Sequence, residues 1–232
     1  YAEDTVERYG FTREQQDEFA ITSLKRAQAA IESGAFSSEI APVTIKTRKG
    51  EQVVDTDEQP LKAKIDKIPA LRPAFRKDGT VTAANASSIS DGAAAVVLMR
   101  QSEAEKRGLK PLAKILGHAT HARKPAEFTI APVSAMQSLL EKVNWTKDDV
   151  DLFEINEAFA VVTMAAIKDL ELDHAKVNIN GGACALGHPI GCSGTRIVVT
   201  LIDALKRQGK TKGVASLCIG GGEATAMAIE LI

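Results

Sequence analysis

Aromatic side chains are scarce in this sequence. One tryptophan, two tyrosines and seven phenylalanines stand among 232 residues, 4% in all. That argues against an aromatic-lined groove as the main binding surface. An excess of one charge sign is also lacking: 29 lysines and arginines face 30 acidic residues, a formal net charge of −1. No general attraction to nucleic acid is expected from that balance, although the basic stretch from Lys62 to Lys67 suits a phosphate-bearing small molecule. Cysteine is limited to Cys184, Cys192 and Cys218. A small odd number in a chain of this length is not a disulfide framework and reads as reduced thiols in an intracellular compartment. No apolar run reaches the roughly 18 residues of a transmembrane helix, and no secretory leader is visible, so no membrane partner is expected. Tyr1 is not a natural start. The compartment is therefore read as cytoplasmic, with mitochondrial and peroxisomal locations left open.

Alanine and glycine are abundant, and 44% of residues are apolar. This fits tight packing of helices on sheets, in one large domain or two modest ones. Residues 1–33 read as helix, with Thr12-x-x-Gln15 as a capping box and Gly34 as the stop. Two strand-like runs flank a turn at Lys49-Gly50, and residues 55–79 read as an irregular surface excursion. Ala93–Met99 is a continuous apolar run of the kind found in buried strands. Ser102 is read as the cap of a short helix. Strand-like segments over 112–120, 150–155, 176–180, 214–219 and 225–231 then alternate with helical ones over 132–143, 157–170 and 194–208. Alternation of this kind predicts an α/β layered domain from about residue 110, and the first section does not add up to a closed core.

Two glycine-rich turns carry groups suited to catalysis. Asn180-Gly181-Gly182-Ala183-Cys184-Ala185-Leu186-Gly187-His188-Pro189-Ile190-Gly191 presents a histidine, and Cys218-Ile219-Gly220-Gly221-Gly222 presents a thiol at the end of an apolar strand. Imidazole titrates near neutrality, thiolate is a strong nucleophile and a usable base, and glycines admit close backbone approach. His188 is read as a general base or oxyanion donor, and the Gly220 N–H as a further oxyanion donor. A backbone-bonded structural histidine and an inert buried cysteine are the plain alternatives. For Asn156 and Glu157, at a strand–helix junction, spacing alone favours a helix cap over a side chain that orients water or a carbonyl. Cys184-x₃-His188-x₃-Cys192 is not read as zinc binding, because only three ligands are present and they lie in a tight glycine loop. No P-loop lysine follows the glycines.

These segments resemble the motifs of thiolases. Asn156-Glu157-Ala158-Phe159-Ala160, the run from Asn180 to Gly194, and Cys218–Gly222 fall in that family's order and spacing. Thr80-Val81-Thr82-Ala83-Ala84-Asn85-Ala86-Ser87, followed by Asp91-Gly92-Ala93, matches a fourth motif. The resemblance is closest to the acetyl-CoA acetyltransferase branch. It implies an αβαβα layered fold, with the C-terminal half complete and the N-terminal half partial. Residues 1–88 would be the CoA-binding loop domain, 89–110 the last segment of the N-terminal half, and 111–232 the C-terminal domain.

The implied reaction is a reversible Claisen condensation of two acetyl-CoA molecules to acetoacetyl-CoA and CoA. Coenzyme A thioesters are then substrates, and no bound cofactor or metal is implied. The resemblance gives His188 the activation of a nucleophile and support of an enolate oxygen, Cys218 the α-proton, Asn156 a water in the oxyanion hole, and Gly220 N–H the second hole. It sets Ser87 and Ala83 against the pantetheine arm, Phe75 and Phe159 near the ligand, and Lys62 and Lys67 near the 3′-phosphate. Ala83, Ala84 and Ala86 resemble potassium ligands of mitochondrial members, but the accompanying tyrosine is replaced by Leu24, which argues against potassium here. The family's nucleophilic cysteine has no match. The N-terminal half is therefore expected as a missing or separate partner, and a homo-oligomer as the assembly. A longer-chain 3-ketoacyl-CoA thiolase and a non-catalytic CoA- or lipid-binding module remain as alternatives.

Overall fold

The computed structural model describes all 232 residues. The chain opens with α1 (Ala2–Tyr9) and α2 (Arg13–Glu32). The expected single helix is broken because Gly10 takes a left-handed conformation and caps α1. Thr12 then starts α2 through the anticipated capping box, complete in both directions. The hairpin β1 (Val43–Thr47) and β2 (Gly50–Val54) forms as the sequence indicated, exposed along its whole length. The excursion that follows is less irregular than expected, containing α3 (Glu58–Lys62) and a 3₁₀ turn over Ile65–Ala70.

Ala93–Met99 departs from expectation. The run belongs to no strand, and Val97 and Leu98 are 85% and 69% exposed. Its apolar pattern is that of a buried strand, but nothing in this chain pairs with it. The short helix α4 (Gln101–Lys106) follows, with Arg100 rather than Ser102 at its N-cap.

The second half is built on one mixed sheet of order β3–β6–β5–β4. Its strands are β3 (Ala113–Ala122), β4 (Leu152–Ile155), β5 (Lys212–Ile219) and β6 (Glu223–Leu231). Only β4 and β5 run parallel, with Ile155 opposite Ser216. The helices are α5 (Ala131–Val143), α6 (Ala160–Asp169), the single turn α7 (Ala183–Leu186) and α8 (Ile190–Gln208). The alternation of β4 divides the core. Phe153 and Ile155 pack into the cluster shared with α5, including Met136 and Leu139. Leu152 faces α8, whose apolar stripe is Ile197, Leu201, Ala204 and Leu205. That spacing is one helical face, and each fully buried Leu or Ile contributes about 1.5–3 kcal/mol. The sheet thus carries helices on both faces, as an α/β layered fold requires.

Residues 176–180 do not form the expected strand. A single bridge joins Val177 to Phe153. Asn178 turns left-handed at φ 48° and uses its side chain where a strand would use its backbone. Its Oδ1 accepts from Ile155 N and its Nδ2 donates to Ile155 O, both at 2.8 Å. This side-chain clamp fixes the C-terminal end of β4 immediately before Asn156. No helix is long and apolar enough to cross a membrane.

Candidate active site

β4 and β5 end side by side, so Asn156 and Cys218 leave the sheet at the same edge. Strand C-terminal edges are where ligands bind in α/β sheets. Asn156 is not a helix cap, because α6 begins only at Ala160 with Phe159 as its N-cap. Its backbone N–H continues the parallel ladder to Ser216 O at 2.9 Å. By strand alternation its side chain points to the α8 side, and there Nδ2 stands 3.3 Å from Nε2 of His188. Asn156 is 1% exposed, and its Oδ1 has no protein partner.

His188 is held between α7 and α8. Its backbone N–H donates to Ser88 O at 3.0 Å. Gly187 before it has φ 90°, and a Cβ there would come within 2.2 Å of Ser90 Oγ, so glycine is needed on both counts. Nδ1 of the ring lies 2.6 Å from Ser193 Oγ, on the first turn of α8. Burial, with Arg196 as a second cause, lowers the imidazole pKa and keeps the ring neutral at physiological pH.

Cys218 sits on the α6 side among Ala158, Val162, Phe128 and Phe159. Burial pushes its thiol up to about 12, so it holds its proton at rest. Two residues on, the Gly220 N–H donates to no protein carbonyl. A Cβ at Gly220 would meet nothing within 4 Å. The thiol and the imidazole therefore approach one edge from opposite faces of the sheet.

The remaining expected residues fall into two places. Phe75, Phe159 and Phe128 form an edge-on row beside Cys218, with centroids 6.1 and 6.5 Å apart. Ser87 joins that row through its hydroxyl, which donates to Ala158 O at 2.9 Å. Ala83 and Lys67 instead line a cavity of about 330 Å³, together with Leu24, Lys64 and Ile68. Lys62 does not reach this cavity; it is exposed and paired with Glu58. The cavity wall carries two lysines, no acidic side chain and the apolar Leu24 beside Ala83 and Ala84. It does not fit a potassium ion.

A second buried network lies behind this strand edge. The Glu157 carboxylate accepts from Ser23 Oγ at 2.7 Å, Asn178 Nδ2 at 2.8 Å and Cys184 N at 3.1 Å. A Cβ on Gly182 would lie within 2.3 Å of that carboxyl group, so the glycine leaves room for it. Cys184 and Cys192 are both buried with thiol pKa values raised by desolvation, which leaves them poor nucleophiles. Sequence reading missed Ser193, Asn178 and Ser23. Ser193 alone left a signal, a hydroxyl five residues after the histidine at a helix start.

The family model described as "Thiolase, C-terminal domain" matches residues 109–231, and "Thiolase, N-terminal domain" matches residues 1–102. The chain belongs to the thiolase family. An acetyl-CoA acetyltransferase of Yarrowia lipolytica is 52% identical over 99% of this chain and 57% of its own length. The crystal structure of the Bacillus anthracis acetyl-CoA acetyltransferase superposes with a TM-score of 0.97 at 51% identity, over all of this chain and 59% of that one. The Acat5 thiolase from Ascaris suum, solved in complex with coenzyme A, gives 0.93 at 48% identity with the same coverage. The thiolase fold is therefore the fold of this chain, which spans somewhat under three-fifths of these relatives. Both thiolase domain models find their match within this chain, which corrects the expectation that the N-terminal domain is supplied only by a separate partner.

Proposed function

We propose that this thiolase chain supplies the proton-transfer and oxyanion groups for reversible acyl transfer between CoA thioesters, with two acetyl-CoA and acetoacetyl-CoA plus CoA as its substrate pairs. The observation that carries this reading is the Asn156–His188 contact at the strand edge shared with Cys218. A thioester α-proton is a weak acid. Its removal needs a nearby base and donors aimed at the oxygen that gains charge. A neutral His188 accepts the proton of an attacking thiol and then, protonated, faces the enolate oxygen. Asn156, with its unpartnered Oδ1, orients a water toward the same oxygen. The free Gly220 N–H serves the acyl carbonyl. In thiolysis the departing enolate must receive a proton, and a Cys218 thiol raised to about 12 holds one. The acyl-accepting thiol is none of the three cysteines here, since burial raises the thiols of Cys184 and Cys192 and Cys218 is committed to the α-carbon.

Coenzyme A would run from the lysine-rimmed cavity, which suits a heteroaromatic base beside phosphates, along Ala83–Ser87 to the phenylalanine row. Residues 1–88 then form most of the CoA-gripping surface. The named activities of the relatives and the CoA complex of the Ascaris suum enzyme support this. The test is thiolysis of a C4 to C16 series of 3-ketoacyl-CoAs by the active enzyme. The C4 substrate is expected to have the highest kcat/KM. A maximum at C8 or beyond identifies a longer-chain thiolase instead, and thiolysis unchanged by substitution of His188 and of Cys218 identifies a binding module.

A further inference from the structure

Two contacts on opposite edges of the His188 ring are satisfied together by one tautomer. Ser193 Oγ lies 2.6 Å from Nδ1. The same hydroxyl stands 3.1 Å from the Pro189 carbonyl, in position to donate to it. A hydroxyl has one hydrogen. With that hydrogen on Pro189 O, Oγ meets the imidazole as an acceptor, and Nδ1 must be the N–H nitrogen. On the far edge, Asn156 Nδ2 lies 3.3 Å from Nε2. An amide nitrogen only donates, so Nε2 must offer a lone pair. The opposite tautomer sets two donors against each other.

We propose that Ser193 is a positioning residue that locks His188 as the Nδ1–H tautomer and so reserves Nε2 as the atom that accepts the proton. This rests on His188 being the base. Ser193 is fully buried, and its hydroxyl joins the N–H groups of Cys192 and Ser193, 2.8 and 2.9 Å from Pro189 O, on that one carbonyl. In the transfer, an S–H bond breaks and an Nε2–H bond forms. The Nδ1–H stays bonded to Ser193 throughout, and no proton passes to the serine. Serine at this position sets which nitrogen reacts without touching the substrate.

Nitrogen-15 NMR of the histidine-labelled 232-residue chain at pH 8 tests this. His188 is assigned by the signals lost in H188Q. In the wild-type chain Nδ1 is expected to resonate as an N–H nitrogen and Nε2 as a lone-pair nitrogen. S193A should shift the tautomer ratio toward Nε2–H by roughly tenfold, the scale of one net hydrogen bond, and S193T should restore it. A wild-type Nε2–H signature, or an S193A spectrum identical to wild type, overturns the proposal. If S193A disturbs His118, His121 and His174 as well, S193C takes its place, because a thiol is a weak acceptor. Full turnover in an H188A enzyme would sink the catalytic reading and leave the tautomer result standing, so the two failures are separable.

Discussion

Alanine in place of His188 is expected to lower kcat for acetoacetyl-CoA thiolysis by about 10²- to 10⁴-fold, with KM little changed. The substitution removes the only neutral base at the strand edge and the partner of Asn156. It leaves the lysine-rimmed cavity and the phenylalanine row intact, so substrate binding should survive. Cys218→Ala is expected to fall by a comparable factor, because it removes the proton held at the α-carbon. The double variant should be little worse than the worse single one, since the two groups act in one sequence. The pH dependence has a defined sign. Burial and Arg196 lower the His188 pKa, so the base form persists into mild acid and the acid limb of kcat/KM should lie below the ordinary imidazole value of about 6.5. A loss confined to KM would mean that His188 only holds substrate.

Stability should fall as pH rises from 5 to 9, and Glu154→Gln should remove the part of that fall that Glu154 carries, about 3–4 kcal/mol, while Glu39 keeps the remainder. Glu154 is 2% exposed on the α8 side of β4. Its nearest cation is Arg196, 3.5 Å away, and that Nη1 nitrogen makes no hydrogen bond. Burial outweighs this loose pairing, with Glu157 and Glu39 adding repulsion, and the carboxyl is pushed up to about 8. Glu39 nearby is raised to about 7, mainly by burial. A carboxyl whose folded pKa exceeds its unfolded value of 4.5 gives stability that is complete below that value. The contribution is lost as pH rises through about 8. Glutamine mimics the protonated acid in shape and polarity, so it should leave the acid-side stability almost unchanged. Urea midpoints across the range decide the matter. A slope that is flat in wild type, or unchanged in the variant, would mean that Glu154 is ionised throughout.

Local signals proved legible where a feature depends on nearby residues. The Thr12–Gln15 capping box, the Lys49-Gly50 hairpin and the α8 stripe each rest on contacts within a few positions. The site turns were legible for a related reason: the glycines before His188 answer to close backbone approach, as Gly182 and Gly187 show. Features set by distant partners were not legible. Ala93–Met99 has the composition of a buried strand, yet burial needs a neighbour that composition cannot supply. Asn178 clamps β4 from 23 residues away, which converts an apparent strand into a side-chain bracket. Asn156 reads as a cap until its partner is known to be His188, 32 residues further on. Glu157 likewise reads as a first-turn acid, and only the fold shows it buried against Ser23, 134 residues away.

The central claim is that imidazole and thiol, reaching the sheet edge from opposite faces, meet at one carbon. A crystal structure of this chain with acetyl-CoA bound tests it most directly. The prediction is an acetyl methyl carbon within about 4 Å of Cys218 Sγ, with the thioester oxygen in hydrogen-bond reach of His188 Nε2. A thioester seated elsewhere, or a wall of side chains separating Sγ from Nε2, would contradict the account.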